Sequence, residues 1–391
     1  MVKDEYANYI KNAFAWTTYG QWLKSEGVAV YEDWYVSDVW ELDRTPWPRL
    51  GGNGCVITIY PMMEAGRGLF IGEIPPGRAL EPIRHLYEQM IWVLEGHGTT
   101  EVWQEGDTHK HVFEWGRGSI FSPPLNTWYR MYNLGQEPVL FMATNRAPAI
   151  MNTFENPDFI FNCPYTFRDR FDGAEGYFSV APRQNVNRWG EWRTNFIPNI
   201  LETDLDSGEY KASGGGSVAF RMAGNQTTCH ISQWPVGRYH KAHYHGAGAV
   251  LFGLRSEGYV LIWSKDLGFQ PYASGNGDGV IEIPWGRGSV YSPPSEWFHQ
   301  HFNTGKEPAR HLAIRGGNPF SGAIMGRDVG ESNPNLTGTD EGGTLLHYEN
   351  EDPEIRRHYA EVLKAKGIAV EMPPEIYEPG YTRAHPGPRR G

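Results

Sequence analysis

Two short segments hold five of the 14 histidines in the chain: His240, His243 and His245 in one, His299 and His301 in the other. Residues two apart on an extended strand project from the same face. His243 and His245 are thus expected to point to one place, and His299 can meet them from a facing strand. Three imidazoles converging in this way suit Fe, Zn, Ni, Cu or Mn and leave coordination positions for water or a substrate. A lone histidine is usually a surface or core residue, but five in two segments argue for a centre. His301 shares the parity of His299, so it is expected behind the ligands or as an acid/base. Tyr239 is a second acid/base candidate. Trp297 has inward parity and could stack on an aromatic substrate. Trp234 and Trp263 are weaker candidates, with core packing as the alternative. Arg238 and Arg315 fall near strand ends and could pair with a substrate carboxylate.

The elements that must position these residues come from an internal repeat. Residues 115–124 read WGRGSIFSPP and residues 285–294 read WGRGSVYSPP, and the match runs on to Asn133–Pro138 and Asn303–Pro308 at a constant offset of 170. One long-period duplication means two copies of a domain, not a solenoid. Arg287 has its match in Arg117, which makes it structural. Within each copy, short runs rich in β-branched and aromatic residues are bounded by Gly, Pro and Asn (Met90–Leu94, Val139–Ala143, Val250–Leu254 and Val260–Trp263 among them), so strands are expected. The division expected is a helical extension over 1–50, a first barrel over 51–148, a connection over 149–215, a second barrel over 216–317 and an extension over 318–391. Helices are expected over Glu5–Trp22 and Pro353–Lys366, and residues 372–391 are read as a tail or an arm.

Composition bounds the function. A formal charge of −11 and no basic cluster beyond Arg389-Arg390 exclude a nucleic-acid partner. The three cysteines, Cys55, Cys163 and Cys229, have no metal or disulfide spacing and read as buried thiols of a cytoplasmic protein. No apolar run has the length of a signal core or a membrane span.

The histidine segments resemble the cupin superfamily. Gly237, His243 and His245 match its first motif, and Gly288, Pro294, His299 and Asn303 match its second, with Glu296 where the family usually has Gly. The resemblance covers most of residues 60–317. It implies an all-β fold of two tandem double-stranded β-helix (jelly-roll) barrels, a bicupin. It also implies that His243, His245 and His299 are metal ligands and that the chain forms a homo-oligomer. Where the family's glutamate ligand stands, this chain has Gly246-Ala-Gly-Ala249. Glu257 lies at the wrong spacing to replace it and reads as a turn residue. In the first copy the matching places hold Ile83, His85, Gln89 and Tyr129, so that barrel is expected to be metal-free, with a residual small-molecule pocket as an alternative.

A three-histidine site looks like that of the gentisate-type ring-cleaving dioxygenases. The function expected from the resemblance is an Fe(II) dioxygenase, one metal per chain, acting on a phenolic or other oxygen-chelating small molecule with O2. The bicupins compared usually keep their metal in the N-terminal barrel, whereas here the ligand set is in the C-terminal one. Mn, Ni or Zn at the same site would instead suit a redox-neutral lyase, decarboxylase, isomerase or hydrolase. A non-catalytic binding bicupin is the third reading.

Overall fold

The structure is a computed structural model that describes residues 2–183, 191–207, 212–246, 249–316 and 338–384. Ala247 and Gly248 of the glutamate-slot segment, residues 317–337 at the start of the C-terminal extension and the Arg389-Arg390 tail lie outside the described residues.

Each repeat folds into two unequal antiparallel sheets facing one another. In the first barrel the larger sheet runs through Gly52–Ile59, Gly68–Ile74, Val139–Asn145, Gln89–Glu95 and Ile120–Phe121, and the smaller holds Trp128–Asn133, His97–Trp103 and His111–Gly116. In the second barrel the larger runs through Gly216–Arg221, Thr227–Trp234, Ala309–Gly316, Val250–Arg255 and Val290–Tyr291. Its smaller sheet holds Ile281–Gly286, Glu257–Ser264 and Trp297–Asn303. This is a mainly β, two-domain architecture of tandem cupin-like jelly rolls.

The large sheets are buried on both faces, which explains their nearly continuous apolar runs. Ile91, Val93 and Phe141 point into the first barrel, whereas Met90, Trp92 and Met142 point out. The outward set meets Phe220, Ile231, Phe252 and Leu312 of the second barrel in one shared core. Trp92 packs edge-on against Phe252 at a centroid distance of 5.9 Å.

The repeated motif has a local cause. Trp115 and Trp285 are core residues of their barrels. Gly118 and Gly288 adopt φ of 88° and 90°, a left-handed turn open to glycine at low cost. The Ser119 and Ser289 hydroxyls accept hydrogen bonds from Gly116 N and Gly286 N, closing that turn. Asn133 and Asn303 each tie the next turn to a neighbouring carbonyl and to Gly135 N or Gly305 N. Glu296 has φ of 64° and Asn126, its repeat partner, 58°, so the left-handed position of the missing motif glycine survives without the glycine.

The 1–50 extension is more than helical. After Val2–Ala15 and Thr18–Glu26, the strand Ala29–Asp33 pairs in parallel with Gly52–Ile59 of the first barrel, while Tyr35–Val36 pairs with Val290–Tyr291 of the second. The connection likewise gives Phe196–Ile197 to the first barrel and Trp192–Arg193 to the second. These crossings, the Glu88 carboxylate on Gln226 N and Thr227 N, and Arg117 and Arg287 both on Glu95 bind the barrels together. Pro353–Lys366 is a helix as expected, capped by Asp352 and packed on the second barrel through Ile355, Tyr359 and Leu363.

Candidate metal centre

His243 and His299 sit opposite each other as a doubly hydrogen-bonded backbone pair, with N···O distances of 3.1 and 2.9 Å. Their ring centroids are 4.3 Å apart, and that of His245 is 4.7 Å from His299. One ring nitrogen from each of the three lies within 4.8 Å of the others. The tautomers follow from the neighbours. His243 Nδ1 faces the Lys241 carbonyl and His299 Nδ1 the Trp297 carbonyl, both at 3.1 Å. A carbonyl only accepts, so each Nδ1 carries the hydrogen and each Nε2 keeps the lone pair a metal takes. The residues fit a divalent ion of the imidazole-binding group.

The triad lines a cavity of about 570 Å³, including its mouth, within the second barrel. His230, His240, His301, His311 and Arg315 line it too, with Leu251 and Ala313 as apolar wall. Among the described residues, no Asp or Glu lines it. His301 is buried, and its Nδ1 is 2.9 Å from the Tyr291 hydroxyl, which also lies 3.2 Å from His311 Nδ1. Burial lowers the pKa of His311 to about 3 and raises that of Tyr291 well above its usual value. Both are therefore neutral, and the single hydroxyl hydrogen serves one imidazole while the other donates to the oxygen. Arg315 reaches the cavity with its Nη2 3.0 Å from His230 Nδ1.

Five of the candidate residues do not line the cavity. Tyr239 faces away from the cavity: its hydroxyl donates to Glu351 Oε1 at 2.6 Å, and its ring stacks on Phe302. The cause is a break in alternation. His240 N bonds His301 O and His243 N bonds His299 O, so three steps on one strand oppose two on the other, a bulge at Lys241-Ala242. His240 and His243 thus both face inward, and Tyr239 is turned out. Arg238 does not line the cavity; its guanidinium donates to Ser213 Oγ at 2.9 Å. Trp234 is fully buried beneath the site, 4.2 Å from the His240 ring and 4.9 Å from that of His311, and is core. Trp263 is core as well, stacked on Phe298. Trp297 has the expected inward parity and packs against the barrel's interior cluster without lining the cavity. Glu257 is a strand-end residue paired with Lys366 at 2.8 Å.

Sequence reasoning missed His311, Tyr291, His230 and Glu351. Tyr291 lies in the repeat opposite Phe121, and an inward hydroxyl replacing a phenyl was the signal available. Glu351 offers no local signal, because its partners are 51 and 112 residues away.

The first barrel keeps the same backbone with other side chains. Ile83 and Tyr129 exchange both backbone hydrogen bonds at 3.1 and 3.0 Å, as His243 and His299 do. His85 Nδ1 faces the Tyr87 carbonyl, so its Nε2 lone pair accepts from the Tyr129 hydroxyl at 3.3 Å, which in turn accepts from Gln89 Nε2 at 2.7 Å. At the positions that match the triad His85 is the one histidine; a separate group, His109, His111 and Glu175, lies at the exposed start of the strand His111–Gly116.

No family model matches the chain, and no curated protein matches it. Solved structures do. The chain is similar to oxalate decarboxylase in a structure of its substrate-binding mode, at 14% identity and a TM-score of 0.49 over 73% of this chain and 77% of that one. A tryptophan-to-tyrosine variant of the Bacillus subtilis enzyme gives 13% identity and 0.49 over 73% and 78%. A structure concerning the Mn(II) centres of that Bacillus enzyme gives 13% and 0.48 over the same shares.

Proposed function

We propose that the chain is a metal-dependent enzyme that binds an anionic, oxygen-chelating small molecule at His243, His245 and His299, and that with Fe(II) it is a dioxygenase of phenolic acids. The observation that carries this reading is the missing carboxylate. Three neutral imidazoles leave the charge of a divalent ion uncompensated, and Arg315 adds a permanent positive charge to a cavity with no acid among its described lining residues. An anionic substrate supplies the balance.

Bound there, a ferrous ion would supply Lewis acidity to two substrate oxygens and electrons to O2. Arg315 holds a substrate carboxylate by charge-assisted hydrogen bonds and so fixes which end faces the histidines. His301, held by Tyr291, takes a proton from a substrate hydroxyl or returns one. Leu251, Ala249 and Ala313 keep the inner wall dry.

The His301–Tyr291 pair favours a second reading, because a held imidazole beside the centre also serves a redox-neutral lyase, decarboxylase or isomerase with Mn, Ni or Zn. Metal content of anaerobically purified protein, then O2 uptake with ferrous iron and dihydroxy-aromatic acids, separates the two. One iron per chain with substrate-dependent O2 consumption supports the dioxygenase. One metal without O2 uptake supports the redox-neutral enzyme, and protein that takes up no metal overturns both.

A further inference from the structure

We propose that His109, His111 and Glu175 form a second divalent-metal site, for Zn(II) or an ion of like ligand preference, which clips the long connection to the first barrel. It goes beyond the metal chemistry of the second barrel, does not depend on it and uses none of the eroded ligand positions.

His109-Lys-His111 repeats the spacing of His243-Tyr-His245. His111 opens the strand His111–Gly116 opposite Val102 of the neighbouring strand, and His109 stands just ahead of it. Their ring centroids are 4.7 Å apart with the planes at 90°. Glu175 comes from the connection, and its Oε1 is 3.6 Å from His109 Nε2. One ligand atom from each of the three lies within 4.8 Å of the others, the limit that the buried triad also meets. Two imidazoles and a carboxylate are a donor set that zinc takes, with a fourth position left for water.

Both sides of the site are held without any ion. Phe171 is 1% exposed and packs edge-on against His111 at 5.1 Å, while Phe178 stacks on Phe113 at 4.0 Å. The turn that carries Glu175 is thus anchored before and after it. Within that turn the Asp172 carboxylate accepts from Ala174 N, and the Ala174 carbonyl accepts from Tyr177 N. On the barrel side the Gln104 amide donates to the Phe171 carbonyl, and Asp107 pairs with Arg168 at 3.1 Å. The competing account is a plain ion pair of His109 with Glu175. Their side chains are 67% and 89% exposed, and an exposed pair contributes little to stability. It also leaves His111 unused, whereas a metal takes all three groups. A site this open to water exchanges its ion readily. Purification with a chelator therefore empties it, and titration is what reads it.

The test is zinc titration by calorimetry on the full-length protein, with circular dichroism as the check on folding. His243→Ala, which lacks the buried centre, should bind one zinc per chain at sub-millimolar concentration, and adding His109→Ala should abolish it. His109→Ala alone should take up one zinc fewer than the parent, a comparison that stands even if His243→Ala does not fold. Glu175→Gln should weaken this zinc roughly tenfold or more, because the connection supplies the anionic ligand. If the buried triad holds no metal, the parent binds one zinc and His109→Ala none, so the two readings fail separately. No zinc on folded His243→Ala, equal uptake by the parent and His109→Ala, or unchanged affinity in Glu175→Gln would overturn the inference.

Discussion

Glu351 accepts a hydrogen bond from the Gln300 side-chain amide at 2.8 Å, and Gln300 is the residue between His299 and His301. The strand Trp297–Asn303 thus presents two histidines to the cavity while its opposite face is tied to the C-terminal extension. The same carboxylate takes the Tyr239 hydroxyl, and Gln300 also donates to the His240 carbonyl. One buried acid therefore holds together both strands that carry the metal ligands.

Burial raises the pKa of Glu351 from 4.5 to about 7. The folded state then binds this proton more tightly than the unfolded chain. The stability it gives is complete below pH 4.5, falls as pH rises towards 7 and is level above. Urea unfolding between pH 5 and 8 should show a loss, up to roughly 3 kcal/mol, that is absent in Glu351→Gln. Equal slopes in the two proteins would contradict the assignment.

Removing one ligand leaves two imidazoles, too few for a closed site. His243→Ala or His299→Ala should lower metal content by well over roughly tenfold, the loss that even outer partners of ligands can cause. Elemental analysis together with unchanged far-ultraviolet circular dichroism checks this. Full metal content in either variant would place the centre elsewhere.

Arg315→Gln keeps a polar side chain and removes the cavity's fixed charge. Affinity for an anionic substrate should weaken about 10- to 100-fold, as for loss of a charge-assisted hydrogen bond. Metal content should hold. A competition assay with the carboxylate and its neutral amide reads the difference, and an equal effect on both would argue against a carboxylate partner.

Tyr291→Phe keeps the ring but leaves His301 and His311 without their shared hydroxyl. The cost should be about 1–3 kcal/mol of stability, visible as a lower midpoint in thermal unfolding. Because His301 loses its hold, kcat should fall more than KM rises. A variant as stable and as active as the parent would show that the bridge does nothing.

What the sequence alone determined is what local geometry determines. Strand alternation puts His243 beside His245, and turn chemistry makes the WGRGS and Asn-x-Gly segments of both repeats fold alike. The two barrels, the triad and the eroded positions Ile83 and Tyr129 were therefore legible. Alternation tells which residues share a side, but not where it slips or what covers that side. The bulge at Lys241-Ala242 reversed the expectation for Tyr239. Contact with Ser213 decided Arg238, and close packing under the site decided Trp234. His311 and the Tyr291 bridge arise because the two sheets of the barrel face one another, and Glu351 enters because the C-terminal extension buries the outer face of the small sheet.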